Sequence, residues 1–220
     1  MPRMNFSMQN RLFDPEHARS VTVIGVGSVG SNVADMLARI GVEHLAVVDG
    51  DCVESHNIPA SRFGIADLGY FKADIVAKRL LKETGLTAKV ERRYYEGNDR
   101  LKGSVFSCVD TMSARMKIWS AVKKNPLVDV FIDTRVAVRF FTVFCVRPSV
   151  PEDIAHYEQF LYEDAEATGQ SCGAHGIITA SAMVAAEAVE RLCAFWSDGN
   201  IRLQTEGLVG GARFPVTPHN

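Results

Sequence analysis

Acidic and basic side chains recur in the first half of the chain with types and an order that suit work on phosphate groups. Asp49 and Asp51 follow one apolar run, and Asp110 follows a later one, with Arg62 and Lys72 between them in the sequence. Such cations neutralise the charge of a polyphosphate, and a carboxylate can hold Mg²⁺ while pyrophosphate departs. Taken singly, Arg62 and Lys72 also suit a solvated surface, and Asp110 also suits a helix N-cap. Their joint order favours adenylyl transfer.

A glycine-rich turn precedes these residues. The run Gly25-Val26-Gly27-Ser28-Val29-Gly30 matches GxGxxG and lies between a predicted strand and a predicted helix. In this motif the first glycine makes a tight turn, the second lets backbone N–H groups approach a phosphate or ribose, and the third allows close helix–strand packing. Asp49 ends the next predicted strand, where a carboxylate can accept hydrogen bonds from ribose hydroxyls. The pattern predicts a nucleotide site, with a ligand-free βα turn as the alternative, and the glycines do not distinguish NAD from ATP.

The elements that must position these residues begin as a strand–helix–strand unit. The β-branched run at 21–24 predicts a buried strand, the apolar spacing over 29–40 predicts a helix, and 44–48 predicts a second strand. Further along we expect helices over 72–83, 113–123 and 177–195, an apolar stripe over 154–161, and strands over 88–94, 105–109, 128–132 and within 136–146. The expected fold class is α/β, a Rossmann-like doubly wound sheet that is mostly parallel, with antiparallel strands toward the C-terminal part.

The expected domain organisation is simple, because no linker or internal repeat interrupts the chain. Residues 1–19 are polar and irregular, which predicts an N-terminal arm. Residues 20–205 are expected to form a single nucleotide-binding domain, and 206–220 a C-terminal tail.

The order of the motifs resembles the ThiF/MoeB/HesA group, the bacterial relatives of ubiquitin-activating E1 enzymes. That group carries an arginine in an N-terminal arm, a GxGGxGS turn, a DxDxVxxSNxxR segment, an IGxxKA segment, and a strand-end Asp with an Arg on the following helix. The matching segments here are Gln9-Asn10-Arg11, Gly25-Val26-Gly27-Ser28-Val29-Gly30-Ser31, Asp49-Gly50-Asp51-Cys52-Val53-Glu54-Ser55-His56-Asn57, Leu68-Gly69-Tyr70-Phe71-Lys72-Ala73, and Cys108-Val109-Asp110-Thr111 to Arg115. The resemblance covers residues 9–135 closely and the last helix more loosely.

The resemblance implies an E1-like adenylyltransferase that uses Mg-ATP to activate a carboxylate as an acyl-adenylate. Asp49 corresponds to the acid that binds the ATP ribose, and Asp110 to the essential carboxylate that supports Mg²⁺. Asn57, Arg62 and Lys72 correspond to groups around the phosphates. The other residues assigned to the nucleotide are Gly25, Gly27, Ser28, Gly30 and Asp51.

The resemblance also implies partners. The activated carboxylate is expected to be the C-terminal glycine of a ubiquitin-like or sulfur-carrier protein. Arg11 resembles the arginine that reaches into the partner's active site in family dimers. An Ala-rich last helix with apolar residues on several faces suits a subunit interface, so we expect a homodimer.

The sequence departs from the family pattern at several places. Ser28 stands where the family has the second glycine of a pair, and Arg62 comes two residues later after Asn57 than the family spacing. The CxxC pairs that bind zinc in many members are absent, so no structural zinc is expected.

Cys172 is the candidate nucleophile for later chemistry. In sulfur-transfer and E1 members, a cysteine on the crossover segment takes the activated acyl group, and Cys172 lies in a comparable stretch before the last helix. A helix N-terminus nearby would lower its thiol pKa, and His175 is close in sequence. The alternative is a small buried side chain that packs under the last helix.

The composition excludes several classes of protein. With 24 Lys and Arg against 26 Asp and Glu, the net charge of −2 does not favour broad binding to nucleic acid or anionic membranes. No apolar run approaches the roughly 20 residues of a membrane-spanning helix. The five cysteines are widely spaced, which disfavours a disulfide framework and suits a cytoplasmic protein. Two alternatives to the adenylyltransferase stay open: an NAD(P)-dependent oxidoreductase that shares only the βαβ half, and a non-catalytic E1-like partner subunit.

Overall fold

A computed structural model describes residues 4–97, 100–137, 140–163, 177–209 and, for the backbone alone, 213–216. The helices within these residues are α1 (Ser28–Arg39), α2 (Lys72–Thr84), α3 (Met112–Val122), α4 (Pro151–Glu158) and α5 (Ile178–Asp198). The strands are β1 (Val21–Ile24), β2 (Leu45–Val48), β3 (Lys89–Glu91), β4 (Gly103–Ser107), β5 (Val128–Ala137), β6 (Phe140–Val146), β7 (Gln204–Leu208) and β8 (Arg213–Val216). Short 3-10 helices cover Pro15–His17, Ser55–Ala60 and Ile65–Asp67.

The strands form one sheet in the order β3-β2-β1-β4-β5-β6-β7-β8. The five strands from β3 to β5 pair in parallel, whereas β6, β7 and β8 each pair antiparallel with the strand before them. This arrangement confirms the predicted fold class. The strand order reverses between β1 and β4, and open α/β sheets bind ligands outside the carboxyl ends of the strands at such a switch point.

Helices cover both faces of the sheet, so the central strands are buried on both sides. Val23 of β1 and Val105 of β4 are fully buried, which explains why their runs are continuously apolar rather than alternating. One apolar core lies beneath α1, α2 and α5. The other lies beneath α3 and α4.

The observed boundaries differ from the expected ones in several places, among them β5, which continues to Ala137 instead of ending at 132. β3 ends at Glu91 instead of continuing to 94, and β4 begins and ends two residues earlier than predicted. The boundary expected at residue 205 falls inside β7, which pairs with β6 from Gln204 to Leu208, and β8 follows it in the sheet. The segment Gln-Thr-Glu-Gly-Leu has a single large apolar residue, so its pattern alone does not predict a strand.

The N-terminal arm is held against the domain by a few specific contacts. The Gln9 side-chain amide donates to the Ile40 carbonyl oxygen at 2.9 Å, beyond the end of α1. Phe13 is buried and stacks on Trp196 of α5, with ring centroids 5.9 Å apart. Asp14 caps the 3-10 helix at Pro15–His17. The arm therefore packs across the ends of α1 and α5.

Among the helices described above, none combines the length and the apolar character needed to cross a membrane.

Candidate active site

A cleft of about 790 Å³ opens at the carboxyl ends of β1, β2 and β4. It brings together most of the residues selected from the sequence: Gly25, Gly27, Ser28, Asp49, Asp51, Asn57, Lys72 and Asp110. Gly30, Arg62 and Arg11 are not among the residues that line it.

The three glycines of the turn have different steric surroundings. Gly25 has φ of 82°, and a methyl group there would lie 2.7 Å from the Cys108 carbonyl oxygen. A methyl group on Gly30 would lie 1.9 Å from the Gly25 carbonyl oxygen, so α1 can approach the turn only without a side chain. A methyl group on Gly27 would meet nothing within 4 Å. Gly27 therefore leaves open space beside the backbone, where a ligand can approach.

The first turn of α1 faces this open space with unsatisfied donors. Gly27 occupies the N-cap and provides no side-chain hydrogen bond to the helix. Gly27 and Ser28 both line the cleft. The first N–H groups of a helix have no partner within it and favour an anion at this end.

Asp49 fixes the shape of the glycine turn. It is 8% exposed, and its Oδ2 accepts a hydrogen bond from Val26 N–H at 2.7 Å while its Oδ1 accepts one from Asp51 N–H at 2.8 Å. Burial raises the pKa of the Asp49 carboxyl, although the two N–H donors and the nearby Lys72 oppose the rise. Each oxygen keeps a lone pair for a hydroxyl donor in the cleft.

Asp51 links Lys72 to Tyr94 across the cleft wall. The Lys72 Nζ donates to Asp51 Oδ2 at 2.9 Å, and the Tyr94 hydroxyl donates to Asp51 Oδ1 at 2.6 Å. Burial opposes ionisation of Asp51, but the bonds from Tyr94 and Lys72 outweigh it and lower the pKa of the carboxyl. The same carboxylate raises the pKa of Tyr94. Lys72 is 8% exposed, so its charge is held at the cleft instead of in bulk solvent.

Asp110 is exposed at the rim of the cleft, beyond the end of β4. It is not the N-cap of α3, because Thr111 fills that position and accepts a hydrogen bond from Ala114 N–H at 3.3 Å. Within the described ranges, the Asp110 side chain forms no hydrogen bond or ion pair. Its carboxylate is therefore available to a ligand.

Arg115 holds the backbone on both sides of Asp110. Its guanidinium is 1% exposed and donates to the Val109 carbonyl oxygen at 2.8 Å and to the Thr111 carbonyl oxygen at 3.4 Å. Its Nε donates to Asp133 Oδ1 at 2.6 Å. The position of Asp110 is thus set from inside the domain.

Asn57 and Arg62 are placed differently from one another. Asn57 lines the cleft, and its side-chain Oδ1 accepts a hydrogen bond from Glu54 N–H at 2.9 Å within the turn that starts a 3-10 helix. The guanidinium of Arg62 lies 3.4 Å from Asp35 of α1 and 3.5 Å from Glu83 of α2. This placement does not support the expectation that Arg62 joins the phosphate-binding groups, because its guanidinium lies beside these two acids and Arg62 does not line the cleft.

Two other predicted residues lie away from the cleft. Arg11 is exposed on the N-terminal arm. Cys172, with neighbouring His175, falls outside the described residues.

The sequence alone leaves two roles open for Asp133 and Arg135, which could bind a substrate carboxylate or pair with each other, and the structure places both within β5. Asp133 is fully buried and accepts hydrogen bonds from Arg115 Nε at 2.6 Å, Arg135 Nε at 2.8 Å and the Tyr157 hydroxyl at 3.1 Å. The two residues therefore pair with each other inside the domain.

Sequence reasoning missed part of the cleft wall. Tyr94, Arg93 and Glu96 come from the irregular segment after β3, and Lys117 comes from α3, where its Nζ lies 2.9 Å from Glu96. The segment after β3 has no periodicity that would single out these residues. The helical spacing of Ser113 and Lys117 on one face of α3 was the available signal.

Together, the fold and the cleft define a Rossmann-like α/β protein with its site at the switch point of the sheet. The chain belongs to the ThiF family, whose family model matches residues 9–202. This finding confirms the resemblance drawn from the spaced motifs.

The chain is similar in sequence to ubiquitin-like modifier-activating enzyme 5 from insects. It is 33% identical over 145 residues to the Drosophila mojavensis protein, covering 56% of this chain and 36% of that protein. It is 34% identical over 127 residues to the Culex quinquefasciatus protein, covering 50% and 32%. The chain thus spans about a third of the length of these curated relatives.

Solved structures share the fold at low sequence identity. Escherichia coli MccB with ATP has a TM-score of 0.70 at 14% identity, covering 91% of this chain and 64% of that one. PaaA matches with the same TM-score, identity and coverage. At this identity the similarity establishes the fold alone.

Proposed function

We propose that this protein is an E1-like adenylyltransferase that uses Mg-ATP to activate a carboxylate. The main support is the composition of the cleft. It is lined by the open glycine turn, the buried Asp49, the Lys72 ammonium bound to Asp51, and the exposed Asp110. A dehydrogenase needs the turn and one ribose-binding acid, but it has no use for Lys72 and Asp110 beside the phosphates.

The chain's own residues fit Mg-ATP. The N–H groups at Gly27 and at the start of α1 would bind phosphate oxygens, and Asp49 would accept bonds from ribose hydroxyls. Lys72 would neutralise phosphate charge, and Asn57 would provide a polar side chain near the phosphates. Asp110 would hold Mg²⁺, which supplies charge neutralisation for the departing pyrophosphate. Within the described ranges, no group of three His, Cys, Asp or Glu side chains could hold a metal ion by itself.

The reaction needs orientation and charge stabilisation more than proton transfer. An oxygen of the ionised substrate carboxylate attacks the α-phosphorus, the bond from that phosphorus to the bridging oxygen breaks, and pyrophosphate leaves with the electron pair. The residues of the cleft hold the reacting groups and offset the charge that accumulates on the leaving group.

The substrate that we propose is the C-terminal glycine of a ubiquitin-like or sulfur-carrier protein. The names of the insect relatives support this class of substrate. We further propose a cytoplasmic homodimer in which Arg11 reaches the partner's cleft, and a role for Cys172 as acceptor of the activated acyl group.

ATP–pyrophosphate exchange with candidate carrier proteins tests the proposal, with calorimetric titration of Mg-ATP and NAD⁺ beside it. We expect tighter binding of Mg-ATP than of NAD⁺, and exchange that depends on a carrier ending in glycine. Tighter binding of NAD⁺ would identify an oxidoreductase instead. Nucleotide binding without exchange, for every carrier, would identify a non-catalytic partner subunit. Intact mass of the wild type and of Cys172→Ala reports whether a thiol-sensitive adduct depends on that cysteine.

A further inference from the structure

Tyr94 is an exposed tyrosine whose hydroxyl group forms a short hydrogen bond to a carboxylate. Its side chain is 65% exposed, yet its hydroxyl lies 2.6 Å from Asp51 Oδ1. The contact joins the segment after β3 to the loop after β2. Nothing in the family motifs points to this position.

The backbone around Tyr94 is seated closely on that loop. A methyl group on Gly50 would lie 3.0 Å from the Tyr94 nitrogen and 3.2 Å from its ring. The absence of a side chain at Gly50 therefore lets the segment after β3 lie over the stretch that carries Asp49 and Asp51. This seating brings the Tyr94 hydroxyl within reach of Asp51.

Asp51 divides its two oxygens between Tyr94 and Lys72. The Asp51 side chain is 46% exposed, whereas that of Lys72 is 10% exposed. A half-exposed carboxylate can turn toward water, and a hydrogen bond from a hydroxyl to its second oxygen opposes this rotation together with the bond from Lys72. When Asp51 keeps its orientation, Oδ2 stays against the Lys72 ammonium.

We propose that Tyr94 is a positioning residue that sets the place of the Lys72 ammonium through Asp51. This inference rests on the proposed function, in which Lys72 faces the phosphates. In this role Tyr94 touches neither the phosphates nor the reacting carboxylate. Tyr94 lowers the conformational freedom of the Asp51 carboxylate, which pairs with the Lys72 ammonium.

The test compares Tyr94→Phe with Tyr70→Phe, each alone and in an Asp51→Asn background. Tyr70 is a matched control, because it is 62% exposed and its hydroxyl makes no hydrogen bond within the described ranges. Affinities for Mg-ATP and for adenosine are measured by calorimetry on the full chain. Because adenosine lacks phosphates, it does not sense the position of Lys72.

We expect Tyr94→Phe to weaken Mg-ATP binding about fivefold and to leave adenosine binding unchanged, as the loss of one hydrogen bond to a charged group predicts. In the Asp51→Asn background the same substitution should add nothing, because residues that act through one another are not additive. Tyr70→Phe should change neither affinity.

Two outcomes would overturn the inference while leaving the proposed function in place. The first is unchanged Mg-ATP binding by Tyr94→Phe. The second is an equal loss for Mg-ATP and adenosine that persists when Asp51 is Asn, since Tyr94 would then be a general part of the cleft wall. A wild-type protein without measurable affinity for Mg-ATP would overturn the proposed function together with the inference.

Discussion

Asp110 and Asp133 follow similar apolar runs on neighbouring strands, yet the fold treats them in opposite ways. Asp110 is exposed beyond β4 and has no partner within the part of the chain that the structure describes. Asp133 lies in β5, is fully buried and is held by Arg115, Arg135 and Tyr157. The difference shows that an acid after an apolar run can be available to a ligand or can support the part of the domain that positions another acid.

Arg115 connects the two environments. The same guanidinium pairs with Asp133 and holds the carbonyl oxygens of Val109 and Thr111, which flank Asp110. Burial opposes ionisation of Asp133, but Arg115 and Arg135 outweigh it and hold the pKa of this carboxyl below its usual value. The internal acid is therefore charged so that Arg115 stays in place.

The largest expected effect comes from removing the internal acid. Asp133→Ala leaves two guanidinium groups without their common anion, and breaking such a buried arrangement costs about 3–5 kcal/mol of unfolding free energy. Denaturant unfolding followed by circular dichroism measures it. Asp129→Ala is the matched control on the same strand, because Asp129 pairs with Arg19 at the surface and should cost at most about 1 kcal/mol. Equal losses for the two variants would contradict the contrast between a scaffold acid and a surface acid.

Removing the exposed acid should affect activity instead of stability. Asp110→Asn should lower pyrophosphate exchange about a hundredfold or more, as expected for one electrostatic partner in the transition state. Its unfolding free energy should stay within about 0.5 kcal/mol of the wild type. The exposed Glu43, changed to Gln, provides the control. Near-normal exchange by folded Asp110→Asn would remove this residue from the proposed mechanism.

The smallest expected effect is on the pH dependence of stability, which further tests the contrast between Asp133 and Asp110. Because the folded-state pKa of Asp133 is depressed, its contribution is present above the unfolded value of about 3.9 and is lost as pH falls toward the folded value. The stability gap between the wild type and Asp133→Ala should be constant from about pH 7 to pH 5 and should narrow below about pH 4. Unfolding midpoints across this range measure the gap. A gap that already narrows between pH 7 and pH 5 would mean that burial, not the arginines, dominates the pKa of Asp133.

Much of the fold was predictable because its signals are local. Short runs of residues predict the buried strand β1, the glycine turn and helix α1. The position of Asp49 after the next strand follows from the same kind of local pattern. The open space at Gly27 and the close approach at Gly30 also match the steric reasons for glycine at those positions. The spacing of the motifs predicted the family of the chain, and the match to the family model confirmed it.

The remaining features depend on contacts between distant segments. Asp110 and Asp133 look alike in sequence, and they differ because Arg115, Arg135 and Tyr157 converge on Asp133 inside the domain. Arg62 turns toward acids on α1 and α2 that no motif places beside it. Tyr94 enters the cleft because Gly50 lacks a side chain, which is a contact between two loops. Such pairings require three-dimensional packing and leave no periodic trace in the sequence.

The two tryptophans of the chain lie in different apolar cores. Trp119 packs edge-on against Tyr157 with ring centroids 4.8 Å apart, and its indole N–H donates to Glu158 at 2.9 Å. Trp196 instead stacks on Phe13 of the N-terminal arm. The chain thus contains two natural fluorophores with separate environments. The fluorescence of Trp119 therefore reports on the apolar core next to Asp133, and the fluorescence of Trp196 reports on the packing of the N-terminal arm.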